Sequence, residues 1–210
     1  MSQIFSKPEE VQHENDYGVK VLFLHGLEGR GPNGNKAKTL AGEWGSLCPT
    51  LRTRDLVNLR TTCGGYWNLV SQTEKDTGLE TPYSDAKDAV RYSEPDIIVG
   101  SSMGAAILYK LIADGHFSGT AVFCAPAIPS LLSGETIKKG IVEKSDILEG
   151  SVWLLGETDT VVSNSANIRI ARSVGGNVII SPGDGHRLNK AVESNILNSA
   201  VLTALELSQK

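Results

Sequence analysis

The fold of this chain is decided by one stretch, Asp96-Ile97-Ile98-Val99-Gly100-Ser101-Ser102-Met103-Gly104-Ala105-Ala106. An apolar, β-branched run predicts a buried strand that ends at Gly100. The residues from Met103 onward are typical of a helix, which Gly115 would end. Gly100, Ser102 and Gly104 occupy the fixed positions of a G-x-S-x-G pattern, so we expect Ser102 on a strained turn with its hydroxyl above the sheet edge.

The two glycines of this pattern are needed for a steric reason. Strand and helix crowd together on either side of such a serine, and glycine leaves them room. The helix start also brings free backbone N–H groups beside the serine. An ordinary strand-to-helix turn has the same composition, so the rest of the chain must decide between the two interpretations.

Further strands and helices alternate on both sides of this stretch. Apolar runs predict strands at 19–24, 50–56, 119–124, 152–155 and 177–181, and helical spacing predicts helices at 37–47, 81–92, 163–174 and 188–207. The alternation predicts right-handed crossovers and a mostly parallel sheet with helices on both faces. We expect a polar N-terminal tail over residues 1–18 and a single domain over 19–210.

Polar residues follow three of these strands in a significant order. Ser102, Asp159 and His186 each come just after a strand end, where parallel sheets gather catalytic groups. In this arrangement His186 would take the proton of Ser102, and Asp159 would orient the imidazole. Glu157 and Asp184 are the alternative acids, and Asp159 itself could be only a turn residue.

An oxyanion hole needs two backbone N–H groups beside the serine. Met103, the residue after Ser102, would supply one of them, and Leu27, in the loop after the first strand, would supply the other. His25 is expected to have a structural role, with its ring held in the loop behind these groups.

With these motifs the sequence resembles the α/β-hydrolase superfamily, and within it the small, nearly lidless bacterial serine esterases. The resemblance covers residues 19–207 and rests on four motifs in order: 21–26, 100–104, 156–162 and 183–186. It implies a three-layer α/β-hydrolase fold. Because the chain has no room for two further strands at its start, we expect a reduced sheet of about six strands. We also expect no large cap, because only residues 125–150 could fold over the site, as a small lid.

The sequence gives weaker signals for the residues of a substrate pocket than for the catalytic residues. Tyr66 and Trp67 could line it, or could be loop aromatics that pack on a helix. Ile128 and Leu131 could belong to the lid, to an ordinary connection, or to a patch that pairs two subunits.

Composition excludes several classes of function. The 210 residues carry a net charge of −4, with no basic stripe for nucleic acid and no cationic amphipathic segment for a membrane surface. Cys48, Cys63 and Cys124 lack metal-site or disulfide spacing, which favours a cytoplasmic protein. We expect a monomer or homodimer with no metal or organic cofactor.

A glycine-rich loop offers a rival interpretation. Residues 29–34 match G-x-G-x-x-G, and Asp55 lies 21 residues beyond Gly34, as in a dinucleotide site. However, Gly29 lies five residues past Leu24, whereas the first glycine of that motif should adjoin the strand.

Taken together, these motifs predict a serine hydrolase. Its substrates would be small-molecule carboxylic esters of small or medium acyl groups, and it would act through an acyl-enzyme on Ser102. Thioesterase, amidase and cofactor-free haloperoxidase activities share these residues. A ligand-binding sensor and a dinucleotide-dependent oxidoreductase are the alternative classes.

Overall fold

The apolar runs of the sequence form a parallel sheet of five strands in the computed structural model, which describes residues 15–29 and 31–209. The strands are β1 (Val21–Leu24), β2 (Ile97–Ser101), β3 (Thr120–Cys124), β4 (Val152–Gly156) and β5 (Asn177–Ser181). Each strand pairs with the next one along the chain, so Val99 of β2 lies between Phe23 of β1 and Val122 of β3. β2 and β4 are buried along their whole length, which explains their continuous apolar sequences.

Helices cover both faces of this sheet. They are α1 (Asn35–Trp44), α2 (Arg54–Thr62), α3 (Gln72–Ser93), α4 (Met103–Ala113), α5 (Ile128–Leu131), α6 (Gly134–Glu143), α7 (Ser145–Glu149), α8 (Asn164–Ser173), α9 (Asn189–Glu193) and α10 (Ile196–Ser208). One core lies between the sheet and the helices α2 to α8. A second core lies between the opposite face and α1, α9 and α10. This is the three-layer arrangement that the sequence predicts.

The sheet has five strands where the sequence suggested about six, because residues 50–56 do not form a strand. Leu47 makes a single parallel bridge to Leu22 at the free edge of β1. The pairing then stops, since the N–H of Leu51 donates to His25 and the N–H of Arg52 donates to Asp85. Backbone groups that are used by side chains cannot extend a ladder.

Two predicted helices have different bounds. α3 begins at Gln72 rather than near Thr81, since Ser71 and Glu74 form a capping box there. Pro82 consequently lies inside the helix. The last predicted helix is divided into α9 and α10 by Asn195, whose φ of 63° is left-handed.

The segment 125–150 forms the helices α5, α6 and α7. The hydroxyl of Tyr109 on α4 donates to the carbonyl of Ile137, and its ring lies against Gly140. The segment is therefore packed along α4, beside the sheet.

At the N-terminus, the predicted tail lies outside the described residues except for 15–18. The amide of Asn15 donates to the carbonyls of Val19 and Trp44, and Tyr17 stacks on Trp44 with ring centroids 4.7 Å apart. These residues are therefore attached to α1.

None of the helices in the described part of the chain is long and apolar enough to cross a membrane.

Candidate active site

Three strand-end loops bring a serine, a histidine and an aspartate into one hydrogen-bonded chain. His186 Nε2 lies 2.9 Å from Ser102 Oγ, and His186 Nδ1 lies 2.9 Å from Asp159 Oδ2. Ser102 follows β2, Asp159 follows β4 and His186 follows β5. The Asp159 side chain is fully buried, whereas the His186 side chain is 19% exposed, so the chain of groups runs from the interior to the cavity.

The surroundings of Asp159 define the tautomer of His186. Oδ1 of Asp159 accepts from the N–H groups of Val161 and Val162, which leaves Oδ2 for the imidazole. Burial raises the pKa of the Asp159 carboxyl, but the hydrogen bonds from His186, Val162 and Val161 outweigh it, and the pKa is lowered. An ionised carboxylate only accepts, so the proton is on Nδ1 and Nε2 can accept the hydroxyl proton of Ser102.

Ser102 has the strained backbone that the G-x-S-x-G pattern predicts. Its φ of 55° and ψ of −111° are unfavourable for a residue with a side chain. A Cβ on Gly100 would lie 2.6 Å from the Cα of Ala105, and one on Gly104 would lie 2.7 Å from the carbonyl oxygen of His25. Glycine is required at both positions because strand, helix and loop approach each other there.

The N–H groups proposed for an oxyanion hole are free. In the described ranges, neither the N–H of Leu27 nor that of Met103 donates a hydrogen bond. The loop that carries Leu27 lies close to the serine, because a Cβ on Gly26 would be 3.3 Å from the Cβ of Ser102. Free N–H groups at such a point are suited to an oxyanion.

His25 holds this loop from behind and is only 4% exposed. Its Nε2 accepts from the N–H of Leu51, and its Nδ1 lies 2.8 Å from the carbonyl oxygen of Gly26. Because a backbone N–H can only donate, the proton of the ring must be on Nδ1. Burial lowers the pKa of His25, although the bond to Gly26 raises it in part. Its role in the structure is to join two loops as a neutral ring.

The two alternative acids point elsewhere. Glu157 Oε2 accepts from the N–H of Gly183, and Asp184 Oδ2 accepts from Ser181 and from the N–H of Ala191. Both carboxylates therefore hold the histidine loop in place, and Asp159 is the one that contacts His186.

A cavity of about 650 Å³ opens above Ser102 and His186. Trp67 and Leu131 line it, as the sequence suggested. Tyr66 and Ile128 do not, because Tyr66 is 67% exposed on its loop and Ile128 is completely buried in the core. In the segment considered as a lid, Ala127 and Leu131 are the described residues that border the cavity.

The glycine-rich loop also borders this cavity. Gly29, Gly31 and Gly34 line it, and residues Gly31–Asn33 form one 3₁₀ turn before α1. Arg30 of the rival motif lies outside the described residues. No group of three or more His, Cys, Asp or Glu side chains within 15–29 and 31–209 is placed to hold a metal ion.

Sequence reasoning missed several lining residues, among them Lys36, Arg187, Asn189, Val161 and Val162. Val161 and Val162 follow Asp159 directly, and Arg187 follows His186, so proximity to the motifs could have indicated them. Lys36 follows the glycine-rich motif 29–34 by two residues, but its contact with the carbonyl of Arg187 spans 151 residues of sequence and has no local signal.

Comparison with solved structures identifies the fold. Est1E from Butyrivibrio proteoclasticus with bound ferulic acid is 13% identical, with a TM-score of 0.61 over 95% of this chain and 94% of that one. An alpha/beta hydrolase from Novosphingobium aromaticivorans is 15% identical, with a TM-score of 0.56 over 92% of each chain. An alpha-beta serine hydrolase homologue from Coxiella burnetii is 17% identical, with a TM-score of 0.53 over 88% and 84%.

No family model matches the sequence, and no curated protein matches it. The similarity to the three solved structures shows that the chain has the α/β-hydrolase fold, as its motifs predicted. The activity of the chain depends on the residues of the site.

Proposed function

We propose that this chain is a serine hydrolase that cleaves carboxylic esters of small or medium acyl groups through an acyl-enzyme on Ser102. The observation that carries the proposal is the chain of hydrogen bonds from Ser102 Oγ to His186 Nε2 and from His186 Nδ1 to Asp159, each 2.9 Å long. The α/β-hydrolase fold supports it, since the triad order in that fold is serine, acid, histidine.

The first half of the reaction acylates the enzyme. Ser102 Oγ attacks the ester carbonyl while His186 Nε2 takes its proton. The carbonyl oxygen becomes an oxyanion, and the free N–H groups of Leu27 and Met103 stabilise it. The C–O bond to the alcohol then breaks, and His186 gives its proton to the leaving alkoxide. Asp159 stabilises the transient imidazolium.

The second half releases the acid. Water gives a proton to His186 and attacks the acyl carbonyl, a second oxyanion forms at the same N–H groups, and Ser102 leaves with the proton from His186. The cavity of about 650 Å³ is of the size that holds small-molecule ligands, and Trp67, Leu131 and Val162 provide apolar contacts for an acyl chain.

Labelling and turnover test the proposal together. The purified protein is treated with a fluorophosphonate, the modified peptide is found by mass spectrometry, and hydrolysis of 4-nitrophenyl acetate, butyrate, octanoate and palmitate is measured. We expect an adduct on Ser102 and higher kcat/KM for the three shorter esters than for palmitate. Ser102→Ala should abolish both labelling and turnover.

A matched control is Ser199→Ala, which removes an exposed serine on α10. It should retain both labelling and turnover. The proposal is wrong if Ser102→Ala hydrolyses these esters as the wild type does, or if the folded wild type neither reacts nor turns over. Stoichiometric release without turnover would instead indicate a ligand-binding sensor.

A further inference from the structure

The cavity above Ser102 has two unlike sides. Leu27, Trp67 and Leu131 belong to the core formed by α2 to α8, and they make one side apolar. The other side, which we call the cationic side, is formed by Lys36, Ser101, Arg187 and the first turn of α1. It lies over the core formed by α1, α9 and α10, because Phe23 and Ala37 of that core also line the cavity there.

Lys36 places an ammonium group in the wall of this side. Its Nζ donates to the carbonyl of Arg187, directly after His186, and the residue is half-buried. Removal from water lowers the pKa of Lys36, Cys124 and Asp184 raise it in part, and Arg187 lowers it again. In the described part of the chain neither Lys36 nor Arg187 forms an ion pair.

Ser101 adds an unused hydroxyl to the same side. It is only 5% exposed, it borders the cavity, and its hydroxyl has no hydrogen-bond partner among the described residues. Side chains alternate along a strand, so Ser101 points to the same face as Val99, which is the face of α1. Because Ser101 borders the cavity, its hydroxyl can donate to an acceptor that binds there.

The first turn of α1 adds free donors. Its N-cap, Gly34, provides no side-chain bond, and the turn contains no acidic residue. The N–H groups of Asn35, Lys36 and Ala37 have no acceptor among the described residues, and all three residues line the cavity. Such an uncapped helix start favours a negative charge.

The remaining charges of the cavity do not change this balance. Arg60 is ion-paired with Glu28, so those two residues neutralise each other at the cavity mouth. Lys36 and Arg187 are left as the cations of the lining that form no ion pair with a described residue.

We propose that the cationic side binds a carboxylate carried by the substrate, so that this enzyme prefers esters with an anionic group near the scissile bond. This inference rests on the proposed function. The ammonium of Lys36 and the hydroxyl of Ser101 bind the carboxylate, the helix start stabilises its charge, and the apolar side takes the rest of the substrate. The carboxylate belongs to the acyl part or to the alcohol part.

The test compares anionic and neutral esters with acyl chains of equal length. For the acyl part, mono(4-nitrophenyl) glutarate is compared with 4-nitrophenyl valerate. For the alcohol part, 4-carboxyphenyl valerate is compared with phenyl valerate. The measured quantity is the ratio of kcat/KM for the anionic ester to kcat/KM for the neutral one, because intrinsic ester reactivity cancels when variants are compared with wild type.

We expect Lys36→Met to lower this ratio by about tenfold in one of the two pairs, mainly through KM, because methionine cannot donate a charge-assisted hydrogen bond to the carboxylate. Lys36→Arg should restore part of the ratio because it keeps the charge. Lys38→Met is the matched control, since Lys38 is exposed on the same helix and does not line the cavity. It should leave the ratio unchanged.

Two results would overturn the inference: the same ratio for wild type and Lys36→Met in both pairs, or an equal fall in Lys38→Met, which would indicate only net charge. If Lys36→Met does not fold, Ser101→Ala replaces it, with a smaller fall expected.

If wild type hydrolyses none of the four esters, the proposed function has failed, and calorimetric titration with glutarate then decides about the anion site. Weaker binding to Lys36→Met than to wild type supports the site, whereas equal or absent binding refutes it.

Discussion

Substitution of Gly104 by alanine tests the packing that holds Ser102 above the sheet. A Cβ at this position would lie 2.5 Å from the carbonyl carbon of Leu24 and 2.7 Å from the carbonyl oxygen of His25, with the oxygen of Leu24 closer still. Ordinary contact begins at 3.4 Å, so α4 and the end of β1 would have to separate by more than about 1 Å. All three contacted atoms are backbone atoms, which no rotamer change can move away.

The expected cost is therefore at the upper end of the range for overpacking, about 3 kcal/mol. For a domain of this size, this corresponds to a fall in Tm of roughly 6–12 °C. Ester hydrolysis should fall as well, because Leu24 and His25 lead into the loop that presents the N–H of Leu27.

Differential scanning calorimetry and the rate of 4-nitrophenyl butyrate hydrolysis measure the two effects. Gly42→Ala is the matched control, because Gly42 is an exposed helical position with nothing within 4 Å of a new Cβ. It should raise stability by up to about 1 kcal/mol. A Gly104→Ala protein that melts within about 2 °C of wild type would refute the close approach of α4 to β1.

Two further substitutions test the groups around the serine. Asp159→Asn should lower kcat/KM for butyrate esters by about 10³–10⁴-fold, because an amide in place of the carboxylate stabilises the wrong tautomer of His186; an activity near wild type would contradict the assigned acid. His25→Phe should cost about 1–3 kcal/mol in urea denaturation, because the N–H of Leu51 loses its acceptor. Burial lowers the pKa of His25, so wild-type stability is complete above its ordinary value of 6.5 and decreases as the pH falls below it. The phenylalanine variant should lack the part of that decrease that comes from His25, and an unchanged pH profile would contradict a buried neutral ring.

The sequence was informative where structure is locally determined. Ser102, Asp159 and His186 each lie within a short motif at a strand end, and parallel strands bring their carboxyl ends to one edge. Their convergence therefore followed from the order of the strands. The start of α3 was equally readable, since Ser71 and Glu74 form a capping box ten residues before the predicted start at residue 81.

Tertiary contacts determine the features that the sequence did not predict. Residues 50–56 have the composition of a strand, yet side chains from distant parts of the chain bind their N–H groups: His25 binds that of Leu51, and Asp85 that of Arg52. Lys36 reaches the carbonyl of Arg187, the residue after His186, only because α1 packs on the face of the sheet beside the loop that follows β5. No local sequence pattern predicts these contacts, because they form only in the packed structure.

The strained serine is maintained by bonds between the loops rather than within them. The N–H of Ser102 donates to the carbonyl of Cys124 at the end of β3, and the carbonyl of Ser102 accepts from the N–H of Ala127 in the connection that follows β3. On the other side of the site, the N–H of Thr158 donates to the carbonyl of Asp184, which joins the loops of Asp159 and His186. A left-handed serine costs about 1–3 kcal/mol, and a set of backbone bonds of this kind can offset it. The hydrogen-bonded chain from Ser102 to Asp159 is therefore positioned before any substrate arrives, which is the condition for catalysis by preorganised groups.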